Sequence, residues 1–249
     1  MNDSLVIIPT YNEKENIADI IQAVFSLNSP MDVLIVDDSS PDGTADIVKN
    51  IQSELSASDK KHQLHLLERH GKLGLGTAYI EGFAYALNHN YEYIFEMDAD
   101  FSHNPQDLLK LYNCCKNEKH DMAIGSRYVS GVNVVNWPMG RVVMSYFASM
   151  YVRLITGMDI QDTTAGFVCY RRKVLETIDL NKIKFIGYAF QIEMKFKTMK
   201  YGFSIKEVPI IFTDRTRGKS KMSTSIFKEA FLGVIQMKIN SWFTKYNKN

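Results

Sequence analysis

The sequence predicts an α/β protein built on a Rossmann-like, mostly parallel sheet with flanking helices. Short apolar runs typical of buried strands alternate with segments of helical periodicity through the first half of the chain. Turn-forming residues follow most of these runs. Three acidic clusters also stand at predicted strand ends, which right-handed crossovers bring to one edge of the sheet. They are Glu13, Asp37-Asp38 and Asp98-Ala99-Asp100.

Five apolar runs predict the parallel strands of the first half. They lie at residues 5–8, 33–36, 64–67, 93–97 and 122–125. The segments between them carry apolar residues at helical spacing. After the first strand these residues are Ile17, Ile20, Ile21 and Val24. Asn104-Pro105 opens the fourth helix. The order of elements is therefore β-α-β-α-β-α-β-α-β, as in a doubly wound sheet.

The second half is predicted to mix helices with two further strands. We expect strands at 168–170 and 208–212 and helices at 141–156 and 188–199. One face of helix 141–156 is apolar, with Val143, Phe147, Met150 and Leu154. A final helix at 223–245 carries a wider apolar stripe. It comprises Ile226, Phe227, Ala230, Phe231, Val234, Ile235, Ile239, Trp242 and Phe243.

The 249 residues fit one large domain followed by a short C-terminal element. We expect residues 1–221 to form the α/β domain. Residues 222–249 are expected to form an amphipathic helix, which could lie at a membrane surface. The formal net charge of +1 gives no indication of nucleic acid as a partner, and none is predicted.

Cysteine usage and hydropathy bear on where the protein works. Cys114, Cys115 and Cys169 form neither a disulfide framework nor a zinc pattern, which favours a reducing, cytosolic setting. The N-terminus lacks the pattern of a signal peptide. No run approaches the ~18 apolar residues of a spanning helix, so no transmembrane segment is predicted. Any membrane contact is expected from the surface, on the cytoplasmic face.

The most informative stretch is the apolar run that ends in Met97-Asp98-Ala99-Asp100. Open α/β sheets hold their ligands at the carboxyl ends of strands, where these two carboxylates would lie. Hard oxygen ligands there suit Mg²⁺ or Mn²⁺ on a bound diphosphate. The tripeptide alone is a weak signal, and a solvated turn remains open as the alternative.

The other strand ends predict a pocket for a nucleoside. Asp38 is a plausible acceptor for the amino groups of a base or for a ribose hydroxyl. Tyr11 and Glu13 could line the same pocket. The alternatives are ordinary ones: Asp38 as a helix-capping carboxylate, and Tyr11 and Glu13 as parts of a capped helix start.

The segment from Gly71 to Gly76 reads Gly-Lys-Leu-Gly-Leu-Gly. Its glycine order differs from the dinucleotide-binding fingerprint, and it follows the third strand. We interpret it mainly as a turn and helix start, with proximity to phosphate as the alternative.

Four cations are available to complete an anion site, namely Arg127, Arg141, Arg215 and Lys221. Arginine gives planar bidentate contacts to phosphate, and lysine gives a point charge. The loop around Arg215 is the most suggestive, because three further cations and one glycine follow within a few residues.

Six motifs in register resemble those of family 2 glycosyltransferases with a GT-A fold. They are Pro9-Thr10-Tyr11-Asn12-Glu13, Val36-Asp37-Asp38, Ser40-Pro41-Asp42-Gly43-Thr44, Met97-Asp98-Ala99-Asp100, Gly125-Ser126-Arg127-Tyr128 and Arg215-x-x-Gly218-x-Ser220-Lys221. Within that family they are most similar to the dolichyl-phosphate (polyprenol-phosphate) mannose synthases. Each motif is weak by itself, but six in this order are a strong signal.

The resemblance implies transfer of mannose from GDP-mannose to a polyprenyl phosphate, giving polyprenyl-phosphate mannose and GDP. It assigns nucleoside contacts to Pro9, Tyr11, Glu13, Val36 and Asp38. Asp98, Ala99 and Asp100 would hold the metal and the sugar diphosphate, with Asp98 and Asp100 as metal ligands. Arg127, Arg215 and Lys221 would bind phosphates of donor or acceptor, and Arg141 and Ser145 the lipid phosphate.

One position departs from the pattern. Ser102 stands where some relatives use glutamine as a further metal ligand, so that ligand is in doubt. The implied chemistry needs no general base, since a phosphomonoester has a second pKa of about 6 and is already anionic at neutral pH. We expect in-line displacement with inversion at the anomeric carbon.

The alternatives keep the same fold. Another donor such as UDP-glucose, or another acceptor such as a glycan, would fit it equally well. A glycan acceptor would call for a base carboxylate near Asp162. A nucleotide-sugar-binding protein without turnover is a more distant alternative. The final helix, with 141–156, is expected either on the cytoplasmic membrane face or packed on the core or on another subunit.

Overall fold

The structure is a computed structural model and describes residues 2–58, 61–187, 189–215, 217 and 224–247. The strands within these residues are β1 (Ser4–Thr10), β2 (Asp32–Asp37), β3 (Leu64–Glu68), β4 (Tyr93–Glu96), β5 (Met122–Ser126), β6 (Val134–Val135), β7 (Val168–Arg171), β8 (Ile205–Pro209) and β9 (Phe212–Thr213). The α-helices are α1 (Ile17–Phe25), α2 (Thr44–Ser58), α3 (Leu75–Asn88), α4 (Asp107–Lys116), α5 (Met139–Thr156), α6 (Arg172–Thr177), α7 (Ala189–Lys200) and α8 (Thr224–Trp242).

Seven strands form one mixed sheet in the order β3-β2-β1-β4-β7-β5-β8. All neighbouring pairs are parallel except those of β7, which runs antiparallel to both β4 and β5. The predicted α/β class with a mostly parallel sheet is therefore confirmed. The predicted strand at 208–212 is wrong in its bounds: β8 ends at Pro209, and β9 pairs instead with β6 in a separate two-stranded parallel sheet.

Alternation along the buried strands divides the core into two layers. In β1, Leu5 and Ile7 join the layer that packs against α3, α5, α6, α7 and α8, whereas Val6 and Ile8 join the layer against α1, α2 and α4. Every one of these four side chains is fully buried. Burial of one such side chain contributes about 1.5–3 kcal/mol. Helices on both faces hold the strand ends in fixed positions, and this makes the edge of the sheet a rigid support for a site.

Helices α5 and α8 differ from the others because their apolar faces are largely exposed. All four residues predicted to share a face of α5 are exposed, with Leu154 at 82%. On α8, where side chains are described from Phe231 onward, Val234 is buried against the core. Trp242 and Phe243 are 68% and 85% exposed. Among the described residues, we find no helix whose length and hydropathy would let it cross a membrane.

Candidate active site

A cavity of about 810 Å³ opens at the carboxyl ends of the parallel strands. It brings together most of the residues that the sequence indicated: Pro9, Tyr11, Glu13, Asp38, Asp98, Ala99, Asp100, Arg127, Arg141, Ser145 and Arg215. Val36 does not line the cavity, because its side chain lies in the core and is fully buried. Lys221 lies outside the described residues.

Asp98 and Asp100 follow directly from β4. The backbone N–H of Ser102 donates to Oδ1 of Asp100 at 3.0 Å, and Phe101 adopts a left-handed φ of 60° to close this turn. Such a φ is uncommon for a residue with a side chain and is characteristic of functional turns. The turn therefore holds both carboxylates at the carboxyl end of β4.

The charge balance at this turn fits a divalent cation. Burial and the neighbouring carboxylate of Asp100 together raise the pKa of Asp98 to about 7, against the opposing effect of Arg215. A cation between the two carboxylates would relieve this repulsion. Among the described residues, no third His, Cys, Asp or Glu completes a cluster with this pair. Substrate oxygens and water would therefore supply the remaining ligands, as Mg²⁺ and Mn²⁺ commonly require.

Arg215 reaches the same pair from the other side of the cavity. Its Nη2 lies 2.9 Å from Oδ2 of Asp100. The loop that follows β9 thus meets the turn that follows β4. This contact links the predicted basic loop to the Asp-x-Asp motif, although the two are more than a hundred residues apart in the chain.

Arg127 follows β5 and forms a bidentate pair with Asp162. Nε and Nη2 of Arg127 lie 2.7 and 2.6 Å from the two carboxylate oxygens, and the backbone N–H of Arg127 donates to Oδ2 at 3.0 Å. Although burial favours the neutral acid, the Arg127 guanidinium outweighs it and holds the pKa of Asp162 below its ordinary value. Asp162 is fully buried and does not line the cavity. It orients Arg127 and is not available as a base.

Trp137 lies between the guanidinium groups of Arg127 and Arg141. The guanidinium carbon of Arg141 lies 4.0 Å from the centre of the Trp137 ring system, and that of Arg127 lies 5.4 Å from it. Arg141 also pairs with Asp214 at 2.9 Å. Stacking on an aromatic face and one carboxylate partner fix both guanidinium planes, leaving two cations on one wall of the cavity.

The Asp38 side of the cavity is organised by Arg69, which the sequence did not indicate. Arg69 donates from Nε to Oδ1 of Asp38 at 2.7 Å and is itself buried. The same guanidinium donates to the hydroxyl of Thr77 and the carbonyl of Gly74. Arg69 directly follows β3, so its position at a strand end was the signal that could have revealed it.

Asp37 and Glu13 both support the local structure around the site, and Glu13 also lines the cavity. Both carboxylate oxygens of Asp37 accept bonds from Ser40, and Thr10 donates to one of them. Glu13 accepts from the side chain of Asn16, and its carbonyl begins α1. Glu13 therefore contributes to the start of α1 through its backbone carbonyl and its bond to Asn16, and the residue also lines the cavity.

The Gly71–Gly76 segment is a turn and helix start, as interpreted from the sequence. Gly74 has a φ of 103°, which is unfavourable for any residue with a side chain. A Cβ on Gly76 would lie 2.9 Å from the carbonyl oxygen of Phe185, so this glycine permits a close approach. Lys72 and Gly74 also line the cavity, so this segment borders the same space as Asp98 and Asp100.

Two further cavity residues were not indicated by the sequence. His103 stacks on Phe167 at 4.8 Å, and burial lowers its pKa to about 4, so the imidazole is neutral. Gln191 comes from α7 and is 1% exposed. Gln191 belongs to no recognisable motif, and only the packing of α7 brings it here, whereas His103 lies three residues after Asp100 in the chain.

Fold and site together define a glycosyltransferase. The family model for glycosyl transferase family 2 matches residues 5–179, and the chain belongs to this family. Among solved structures, glucosyl-3-phosphoglycerate synthase from Mycobacterium tuberculosis, in complex with Mn²⁺, UDP-glucose and phosphoglyceric acid, has the same fold. The match has a TM-score of 0.65 at 16% identity and covers 97% of this chain and 80% of that one.

Two curated relatives are closer in sequence. A polyprenol monophosphomannose synthase from Mycolicibacterium smegmatis is 45% identical over 233 residues, which cover 94% of this chain and 86% of that protein. An undecaprenyl-phosphate mannosyltransferase from Micrococcus luteus is 43% identical over 230 residues, which cover 92% of this chain and 91% of that protein. Both names agree with the subgroup that the six motifs resemble.

Proposed function

We propose that this protein transfers mannose from GDP-mannose to a polyprenyl phosphate of the dolichyl type, with inversion at the anomeric carbon. One observation carries the proposal. The Asp98–Asp100 pair and the cations Arg127, Arg141 and Arg215 line one cavity. The carboxylate nearest the expected position of a base, Asp162, is bound to Arg127 instead. Such a site suits an acceptor that is already an anion.

The acceptor and the sugar are supported by the two relatives, whose names specify a polyprenol or undecaprenyl phosphate and mannose. GDP as the nucleotide rests on the motif resemblance. UDP-glucose is the nearest alternative donor.

The nucleoside would contact Pro9, Tyr11, Glu13 and Asp38, with Arg69 holding the Asp38 carboxylate in place. Val36 would act only indirectly, by holding Asp37 and Asp38 at the end of β2, since the whole residue is buried in the core.

Asp98 and Asp100 would hold Mg²⁺ or Mn²⁺. The bound metal supplies charge neutralisation for the leaving diphosphate. The Mn²⁺ named with the glucosyl-3-phosphoglycerate synthase is consistent with this choice. Arg215 already contacts Asp100 and would exchange this partner for a phosphate oxygen as the donor binds. Ser102 lines the cavity close to this pair, but its hydroxyl is a weaker ligand than the amide of the relatives.

Arg127, Arg141 and Ser145 would bind the acceptor phosphate, and Lys221 would add a further cation. Electrostatic attraction from fixed guanidinium groups lets one anion approach another, which is the main barrier in this reaction. The phosphate oxygen attacks the anomeric carbon as GDP departs from the opposite face, so the configuration inverts. The nucleophile needs no deprotonation, because its second pKa is about 6.

The lipid chain of the acceptor would leave the cavity along α5. Met144, Ser145 and Ala148 of α5 line the cavity, and the exposed apolar face of the same helix continues from them. Phe231 of α8 stacks on Tyr151 of α5 at 4.5 Å, which joins the two exposed faces. We assign both faces to peripheral contact with lipid, on the cytoplasmic side of the membrane.

The decisive experiment offers the protein GDP-mannose or UDP-glucose, each with polyprenyl phosphate in vesicles and with Mg²⁺, Mn²⁺ or a chelator. We expect metal-dependent formation of a lipid-linked mannose with inverted anomeric configuration, measured by extraction and NMR. Asp46→Asn, at an exposed position of α2, is a control that should retain full activity. Faster turnover of UDP-glucose, or transfer to a glycan and not to the lipid phosphate, would contradict the proposal.

A further inference from the structure

Gln191 is a buried amide on the wall of the cavity. It lies in the first turn of α7, its side chain is 1% exposed, and it borders the same cavity as Asp98. A buried polar side chain at a cavity needs hydrogen-bonding partners, since an unpaired buried amide costs about 1–3 kcal/mol.

Two buried charged residues fix the orientation of this amide. Its Nε2 donates to Oε2 of Glu96 at 2.7 Å, and its Oε1 accepts from Nζ of Lys195 at 3.3 Å. Glu96 and Lys195 are both fully buried. Lys195 also donates to the carbonyl of Ala165 at 2.6 Å, which anchors it independently of Gln191. An acceptor on one side and a cation on the other leave a single favourable orientation for the amide.

The network leaves part of the amide available. Within the described residues, one N–H of Nε2 and one lone pair of Oε1 have no protein partner. Gly166 also lines the cavity, and a Cβ at that position would lie 3.9 Å from Nε2. The absence of a side chain at Gly166 thus keeps open the space in front of the amide.

The charges nearby select the kind of ligand. Glu96 and Lys195 place opposite charges on the two ends of the amide, so the network offers an anion no net attraction. The guanidinium groups that attract phosphate are instead those of Arg127, Arg141 and Arg215. A neutral group that can both donate and accept, such as a hydroxyl, matches the free N–H and lone pair.

Glu96 lies two residues before Asp98 on β4, so the amide is close to the turn that would hold the diphosphate. The transferred sugar is bonded to that diphosphate. We infer that Gln191, oriented by Glu96 and Lys195, binds a hydroxyl of the transferred sugar and contributes to the choice of sugar. This inference rests on the proposed function, because it requires a nucleotide sugar in the cavity.

The test compares two ligands that differ only in the sugar. The unaltered protein is first titrated with GDP-mannose and UDP-glucose, and the donor that binds more tightly is used for all later measurements. The second ligand is the corresponding nucleoside diphosphate, GDP or UDP, which lacks the sugar. In Gln191→Met, which retains volume but removes the amide, we expect the donor to bind about fivefold to tenfold more weakly, the loss typical of one hydrogen bond. Affinity for the nucleoside diphosphate should be unchanged.

Two further variants separate this role from a structural one. Gly166→Ala leaves the Glu96–Gln191–Lys195 network intact but fills the space before the amide, so it should weaken donor binding selectively as well. Thr198→Val is the matched control. Thr198 is equally buried on α7, its hydroxyl donates to the helix carbonyl of Met194, and it does not line the cavity. It should change neither affinity.

Donor analogues that each lack one sugar hydroxyl complete the test. One analogue should bind the unaltered protein about fivefold to tenfold more weakly than the full donor does. The affinity for this analogue should not fall further in Gln191→Met or Gly166→Ala, because the hydrogen bond is already missing. Equal losses for donor and nucleoside diphosphate in both variants would overturn the inference. So would full affinity of the unaltered protein for every analogue, a result that does not depend on whether Gln191→Met folds. A preference for UDP-glucose overturns only the proposed donor. The inference about Gln191 is then tested with UDP-glucose, its analogues and the same variants.

Discussion

Arg127 binds Asp162 through Nε and Nη2 at 2.7 and 2.6 Å, although the two residues are 35 positions apart in the chain. The pair joins the end of β5 to the loop before β7. A third bond from Nη2 of Arg127 reaches the hydroxyl of Thr164 at 2.9 Å. Asp162 therefore acts as the support of a cation, and a phosphate acceptor fits this site better than a hydroxyl acceptor that needs a base.

The first prediction concerns Asp162 itself. Asp162→Asn keeps the shape of the side chain and weakens its hold on Arg127, so we expect turnover to fall about tenfold, as for loss of a charged hydrogen bond. Asp159→Asn, at an exposed position on the same loop, is the control. Steady-state kinetics with polyprenyl phosphate measure the effect. A fall of about 100-fold or more with a changed pH–rate profile would identify Asp162 as a general base after all.

Arg69 should matter for both stability and nucleotide binding. Arg69→Met leaves the buried Asp38 without its guanidinium, and removing one partner of a buried ion pair costs about 3 kcal/mol. We expect a lower free energy of unfolding in urea and a raised Kd for GDP by calorimetry. Lys49→Met removes an exposed ion pair with Glu68 and should leave the free energy of unfolding nearly unchanged, because solvent screens this pair. Similar losses in the two variants would show that the Arg69 pair has no special role.

Asp100→Ala should abolish metal-dependent transfer without unfolding the protein. The substitution removes one of the two carboxylates that would hold the cation, and a bound metal contributes several kcal/mol to such reactions, so turnover should fall by about 100-fold or more. Activity assays across Mg²⁺ and Mn²⁺ concentrations measure turnover, and a thermal unfolding curve shows whether the variant is folded. Undiminished turnover in the presence of a chelator would remove the metal from the mechanism.

Arg141→Ala should impair use of the acceptor more than binding of the nucleotide. Arg141 stands on the α5 wall of the cavity, stacked on Trp137, at the point where the lipid chain would leave. We expect the KM for polyprenyl phosphate to rise about tenfold, since a charge-assisted hydrogen bond contributes 1.5–3 kcal/mol. Arg153→Ala on the same helix is the matched control, because Arg153 pairs with Gln161 outside the cavity. An equal loss of nucleotide affinity in Arg141→Ala would refute this assignment.

The exposed faces of α5 and α8 predict attachment to vesicles. Trp242→Ser with Phe243→Ser removes two of the most exposed apolar side chains, so the fraction of protein that floats with liposomes should fall several-fold. Val132→Ser changes a residue that is 53% exposed but lies on the loop before β6, and it should leave flotation unchanged. Failure of the unaltered protein to float at all would favour packing against another protein subunit.

The sequence by itself determined the strands of the first half, the helices between them and the acidic residues at the strand ends. Alternation and helical spacing are local properties, and they predicted β1 to β5 closely. The strand predicted at 208–212 failed because local hydropathy does not reveal where a chain leaves one sheet for another. Val36 was assigned to the site by its motif, yet its side chain faces the core.

Tertiary structure decided how these residues pair. The antiparallel β7 lies between β4 and β5, and the loop before it brings Asp162 to Arg127. Arg69 meets Asp38 across 31 positions, and Gln191 meets Glu96 across 95. These contacts depend on the packing of helices and strands remote in the chain, and no local pattern encodes them. The sequence thus identified most of the charged side chains of the site. Packing determined which of them orient other side chains and which line the cavity.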